Sequence, residues 1–99
     1  MTFNVLVSTR FFDPAAEQLL RDNGCTIITT GLAHDVQDDV LDHDRLSALL
    51  EGVDGWVVGT VPVTEALMQA HPRLKVIARR GVGYNNVDIK AAKALNKHV

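Results

Sequence analysis

The feature that most constrains this 99-residue chain is a rhythm. Short apolar runs rich in β-branched residues alternate with segments that carry helix-start signals. "FNVLVS" (Phe3 to Ser8) reads as a buried strand. Asp13 followed by Pro14 is an N-cap with a first-turn proline, and the helix they open is expected to turn Ala15, Ala16, Leu19 and Leu20 inward and to stop at Gly24. "CTIITT" (Cys25 to Thr30) is the second strand, favoured by its β-branched residues. "LSALLEG" (Leu46 to Gly52) spaces Leu46, Leu49 and Leu50 for a helix, and "GWVVGT" (Gly55 to Thr60) is a third strand. Thr64 caps "EALMQA", with Pro72 just beyond its end. "KVIAR" (Lys75 to Arg79) is the fourth strand, and Asn86 is positioned to cap "VDIKAAKAL".

Four βα units in succession predict an α/β fold with a parallel sheet and right-handed crossovers. The expected architecture is flavodoxin-like, strand order 2-1-3-4, with helices on both faces. The chain ends at "NKHV", where the rhythm asks for another strand beginning near His98. The sheet is therefore expected to be cut short before or at strand five. Residues 1–99 then form a single incomplete domain whose open edge favours self-association, as in a homodimer.

Nearly half of the residues are hydrophobic but few are aromatic, so the core must come from Val, Ile, Leu and Ala. A net charge of -2 gives no reason to expect nucleic acid or an anionic membrane as partner. No apolar run approaches the roughly 20 residues of a membrane helix. "MTFNVLVSTR" lacks the basic start and long apolar run of a signal peptide, and the expected location is cytoplasmic. The single Cys25 excludes an intrachain disulfide and reads as a small hydrophobe opening a strand.

The stretch "IARRGVGYNN" places Gly81 and Gly83 between a strand and a helix, the context of a phosphate loop. The spacing is G-x-G-x-x-N, and no acidic residue follows about 20 positions later to hold a ribose. The residues leave two readings open. One is a turn in which the glycines permit positive φ. The other is an anion cradle of free backbone N–H groups at a helix start, aided by Arg79 and Arg80, one of which faces away because neighbouring strand residues alternate.

Other candidates are weaker. In "HDVQDDVLDHD" (His34 to Asp44), Asp39 and His43 have the i,i+4 spacing of a metal pair, but no second ligand cluster supports them. The stretch reads as a solvated loop with an N-cap, and no metal is expected. Lys90, Lys93 and Lys97 read as a solvated basic stripe on the last helix. Ser8, Thr9 and Thr60 sit at the carboxyl ends of strands one and three, where open α/β sheets bind ligands. The aspartates of a phosphoacceptor domain are missing there, and no serine sits in a G-x-S-x-G elbow.

The long segment "GWVVGTVPVTEALMQAHPRLKVIARRGVGYNNVDIKAA" resembles the D-isomer-specific 2-hydroxyacid dehydrogenases, in particular their 3-phosphoglycerate dehydrogenase-like branch. The likeness runs from "VLVSTRFFDPAAEQLL" to the "G-V-G-x-N-N-V-D" signature at Gly81 to Asp88. It implies a two-domain enzyme in which a flavodoxin-like substrate domain is interrupted by an NAD-binding Rossmann domain. This chain would be the N-terminal part of the substrate domain, with the Rossmann domain absent. The implied substrate-binding residues are Gly81, Val82 and Gly83, whose turn holds a carboxylate, together with Gly59 and Thr60 at the end of strand three.

The chain lacks the arginine that phosphoglycerate-specific members tend to carry near Gly59, and has Asn85 where the family usually has Asp. The family's catalytic arginine, glutamate and histidine and its dinucleotide glycines lie downstream of the matching segment. No catalytic or cofactor-binding residue is therefore expected here, and NAD belongs to the full-length family. The expected partner is a small 2-hydroxy or 2-oxo acid. The alternative expectation is a self-associating folding or assembly unit, natural or engineered, without activity.

Overall fold

A computed structural model describes residues 3–10, 12–33, 35–79 and 86–99. The elements are β1 (Phe3–Val7), α1 (Pro14–Asp22), β2 (Cys25–Thr29), a 3-10 turn (Asp38–Val40), α2 (His43–Leu49), β3 (Gly55–Val58), α3 (Glu65–Ala70), β4 (Val76–Arg79) and α4 (Ile89–Ala94). All four strands are parallel in the order β2-β1-β3-β4. The sequence rhythm foretold this order. A further parallel bridge joins His98 to Val76: Ile77 donates to the His98 carbonyl, and His98 donates to that of Lys75. A fifth ladder thus starts beside β4 at the residue where the rhythm placed it.

The caps are chemical and local. Asp13 accepts from the Ala15 amide at 2.9 Å with Pro14 in the first turn, and Gly24 at φ 83° follows the C-cap of α1. Thr64 accepts from the Leu67 amide and opens α3. Asp42, rather than a residue nearer Leu46, opens α2 by accepting from the Arg45 amide at 2.8 Å. At α4 the expected cap is displaced. Asp88 accepts from the Ala91 amide, and the Asn86 side chain is engaged elsewhere.

The core lies on one face of the sheet. Register aligns Leu6, Trp56 and Ile77 across β1, β3 and β4, and these pack with Leu46 and Leu50, Leu67 and Met68, and Ala91 and Ala92 from the α2 to α4 side. The opposite face carries α1, which packs on β2 and buries no residue completely. Leu19, expected inward, is 63% exposed. Ala16, Glu17 and Leu20 form the half-buried side of α1, and Leu19 falls beyond it because a helix on an edge strand is covered along one side only.

Lys97 also departs from expectation. It follows Asn96, whose φ of 58° ends α4, so it leaves the helical stripe and is 7% exposed. Its ammonium donates to the carbonyls of His71 (3.0 Å) and Leu74, just past the end of α3. Burial, and secondarily Lys75, pull its pKa below the usual lysine value. Among the described residues, no helix is long and apolar enough to cross a membrane.

Candidate functional site

In an open α/β sheet the crevice forms where strand order reverses, outside the carboxyl ends of the strands. Here the reversal falls between β1 and β3. Ser8 follows β1 and Gly59 follows β3, and the space between them is filled by the side chain of Asp38, which has no exposed surface. One carboxyl oxygen accepts from Ser8 Oγ (2.6 Å) and the Gly59 amide (2.7 Å). The other accepts from the amides of Thr60 (2.9 Å) and Val61 (3.1 Å). Four donors thus meet one carboxylate, which compensates its removal from water. Ser8 Oγ in turn accepts from the indole Nε1 of Trp56 at 2.8 Å, which ties the site to the core.

The other side of the same turn is held by Asn86. Its Nδ2 donates to the carbonyls of Gly59 (3.0 Å) and Val61 (2.9 Å), while its Oδ1 accepts from Arg79 Nε. The Val63 amide donates to the Asn86 carbonyl, and that of Asp88 to the Val63 carbonyl. The β3–α3 turn is therefore clamped through three N–H groups by Asp38 and through two carbonyls by Asn86. Gly59 is needed here for close approach and not for an unusual φ. A Cβ on it would lie 2.1 Å from Gln37 Oε1 and 2.8 Å from Asp38 Oδ1.

Of the expected substrate residues, Gly59 and Thr60 stand at this carboxyl end. Gly59 is buried, and Thr60 is exposed with its amide turned to Asp38. Gly81, Val82 and Gly83 lie outside the described residues, as does Arg80. Ser8 and Thr9 are both buried, and the Ser8 hydroxyl serves Asp38. Asp39 belongs to the 3-10 turn and His43 to α2, so the two do not share a helix. Among the described residues, no group of three or more His, Cys, Asp or Glu could hold a metal. A separate cleft of about 340 Å3 opens beside the site between β1, β2 and α1, lined in part by Thr9, Glu17, Thr29, Thr30 and Val36.

Asp38 and Asn86 are the residues that sequence reasoning missed as parts of the site. Asp38 is hidden in an acidic stretch that looks solvated. The usable signal was Gly59 itself, a glycine at a strand end with a buried neighbour to accommodate.

Comparison with known proteins decides the family. Residues 5–99 match the D-isomer specific 2-hydroxyacid dehydrogenase catalytic domain. The chain belongs to that family. It is 32% identical over 89 residues to D-3-phosphoglycerate dehydrogenase of Sus scrofa, covering 89% of this chain and 15% of that protein. It is 37% identical over 60 residues to hydroxypyruvate reductase of Thermotoga maritima, covering 60% of this chain and 20% of that one. The NAD+-bound 3-phosphoglycerate dehydrogenase of Entamoeba histolytica superposes with a TM-score of 0.78 at 20% identity, over 98% of this chain and 32% of that chain, which establishes the shared fold. This family member thus spans about a sixth to a third of the length of these relatives.

The Entamoeba histolytica neighbour is NAD+-bound, but the first βα turn of this chain does not have the features of a dinucleotide loop. A dinucleotide needs glycines in the first βα turn and a free helix N-terminus for its pyrophosphate. In this dehydrogenase-family chain the turn after β1 contains no glycine, and the Asp13 carboxylate already caps α1.

Proposed function

We propose that this chain supplies part of the substrate domain of an NAD-dependent oxidoreductase acting on small 2-hydroxy acids, in the manner of the phosphoglycerate dehydrogenase-like branch, and is inactive alone. The observation that carries the reading is the family match over residues 5–99, on a fold whose βα turns gather at the strand carboxyl ends. The acid's carboxylate is received by the turn at Gly81, Val82 and Gly83. Thr60 lines the pocket as an exposed residue, and Gly59 leaves room for Gln37 and Asp38 behind it. In this reading none of the described residues carries the proton transfer, and NAD is bound by residues elsewhere in the complete enzyme. A cytoplasmic location accords with the free Cys25.

An amide NMR titration with glycolate tests the reading. Saturable, selective shifts at Val82 and Gly83, with perturbation of the Thr60 methyl, are expected. A parallel assay with NAD and D-2-hydroxy acids is expected to give no NADH above a blank. Shifts scattered over the surface, or NADH formation by the purified chain, would sink the corresponding half of the reading.

A second reading is favoured by the sheet's exposed apolar surface. Val76 on β4 and Val99 beside the His98 bridge are large, exposed hydrophobics, and β4 is an edge strand beyond that bridge. Self-association that extends the sheet at β4 would cover this surface. Light scattering at micromolar concentration is expected to give the mass of two chains, and the mass of one chain would remove this reading.

A further inference from the structure

We infer that the amides of Gly59, Thr60 and Val61 form an anion site whose ligand is the chain's own Asp38, and that by filling it Asp38 directs a bound acid's carboxylate away from this turn. The inference rests on the substrate-domain reading for its second half only. Three consecutive N–H groups converge on one carboxylate at 2.7 to 3.1 Å, and the Ser8 hydroxyl completes the set at 2.6 Å. Successive amides aimed at one point make a concavity suited to a small oxyanion. Both oxygens are fully used, and the group is wholly buried at the strand-order reversal, the place where this architecture binds ligands.

Two consequences follow for an acid in the crevice. The turn has no amide left to offer it, since the N–H groups of residues 59 to 61 are all taken. A second carboxylate placed there would also lie against the first, and like charges in a site with little water disfavour each other strongly. The end of the acid that lies against Thr60 is therefore its hydroxyl or its neutral tail, and the carboxylate goes to the β4–α4 side. Asp38 is a positioning residue in this scheme. It touches the turn and not the acid.

The test is chemical rescue. Asp38→Ala leaves the three amides without a partner and a space the size of a carboxylate group. Formate is expected to raise the Tm of this variant saturably, by roughly 5 °C or more at concentrations well above its Kd, where sodium chloride of equal ionic strength does not. Formate should also shift the amide resonances of Gly59, Thr60 and Val61 in the variant. If Asp38→Ala is unfolded, formate should restore its circular dichroism and the buried emission of Trp56. An equal response to formate and chloride, or no recovery of an unfolded variant, would overturn the inference.

The wild-type chain gives the second arm. Its three turn amides should exchange slowly with solvent, with or without glycolate. Rapid exchange, or protection lost on adding glycolate, counts against an internally filled site. A wild-type chain that binds no glycolate anywhere would remove the reading of Gly81 to Gly83 as a working carboxylate site instead, while rescue of Asp38→Ala by formate would still stand.

Discussion

At the scale of single residues, the site is a polar chain through the strand ends: Arg79 to Asn86, Asn86 to the turn at 59–61, the turn to Asp38, and Asp38 through Ser8 to Trp56. Asn86 is the link with two carbonyls depending on it. Asn86→Ala leaves both without their donor and is expected to destabilise the fold by about 1–3 kcal/mol in urea unfolding. Asn86→Asp replaces the donor by an acceptor facing two carbonyl oxygens and should cost at least as much. An Asn86→Ala variant as stable as wild type would show that the clamp contributes nothing.

His71 adds a pH dependence. It is buried and its Nε2 lies 2.9 Å from Ser47 Oγ. Burial is the main cause that holds its pKa below the ordinary 6.5; Glu51 opposes this, while Lys97 and His43 add to it. The folded state therefore takes up the proton less readily than the unfolded chain. Its contribution is fully present above pH 6.5 and is lost as pH falls from there through the depressed folded value. Stability measured from pH 7 to pH 5 should fall, and His71→Gln should flatten that slope. An unchanged slope in the variant would assign the loss to other groups.

At the scale of elements, the helices and strands were legible because their signals are local. Asp13-Pro14, Thr64 and the β-branched runs act within one turn or one strand, and all appear where the sequence put them. The misplacements have a common physical origin. Asn86 and Lys97 were read by their neighbours in sequence, but their hydrogen bonds reach elements 23 to 27 residues away. Asp38 likewise serves amides 21 to 23 residues on, a relation that no periodicity in "HDVQDDVLDHD" encodes. Its burial also shows why an acidic run cannot be read as a single solvated face.

Leu19 belongs to this scale, because its exposure comes from where α1 sits. A helix laid on the edge strand β2 is packed on one side, and at 63% exposure Leu19 has little apolar surface to lose. Leu19→Lys should change stability by no more than about 0.5 kcal/mol. A loss above about 2 kcal/mol, the range of a core leucine, would mean that α1 is covered more fully than this arrangement allows.

At the scale of the whole molecule, the two sides of the sheet are unequal. The α2 to α4 side holds a continuous core around Leu6, Trp56 and Ile77, reinforced by the Asp38 and Asn86 clamps at the strand carboxyl ends and by the Lys97 bonds beyond α3. On the other side α1 buries no residue completely, and β2 holds only half-buried and exposed positions. Local opening costs least where few apolar contacts must be broken. The α1–β2 unit should therefore open first, and its release would uncover the cleft between β1 and β2 while leaving the turn at 59–61 intact. Native-state hydrogen exchange tests this directly. Amides of α1 and β2 should exchange through an opening of low free energy and weak denaturant dependence, while those of β1 and β3 exchange only with global unfolding. If α1 amides are protected as strongly as Trp56 and Val57, the chain is one cooperative unit and the inequality of its two faces has no energetic consequence.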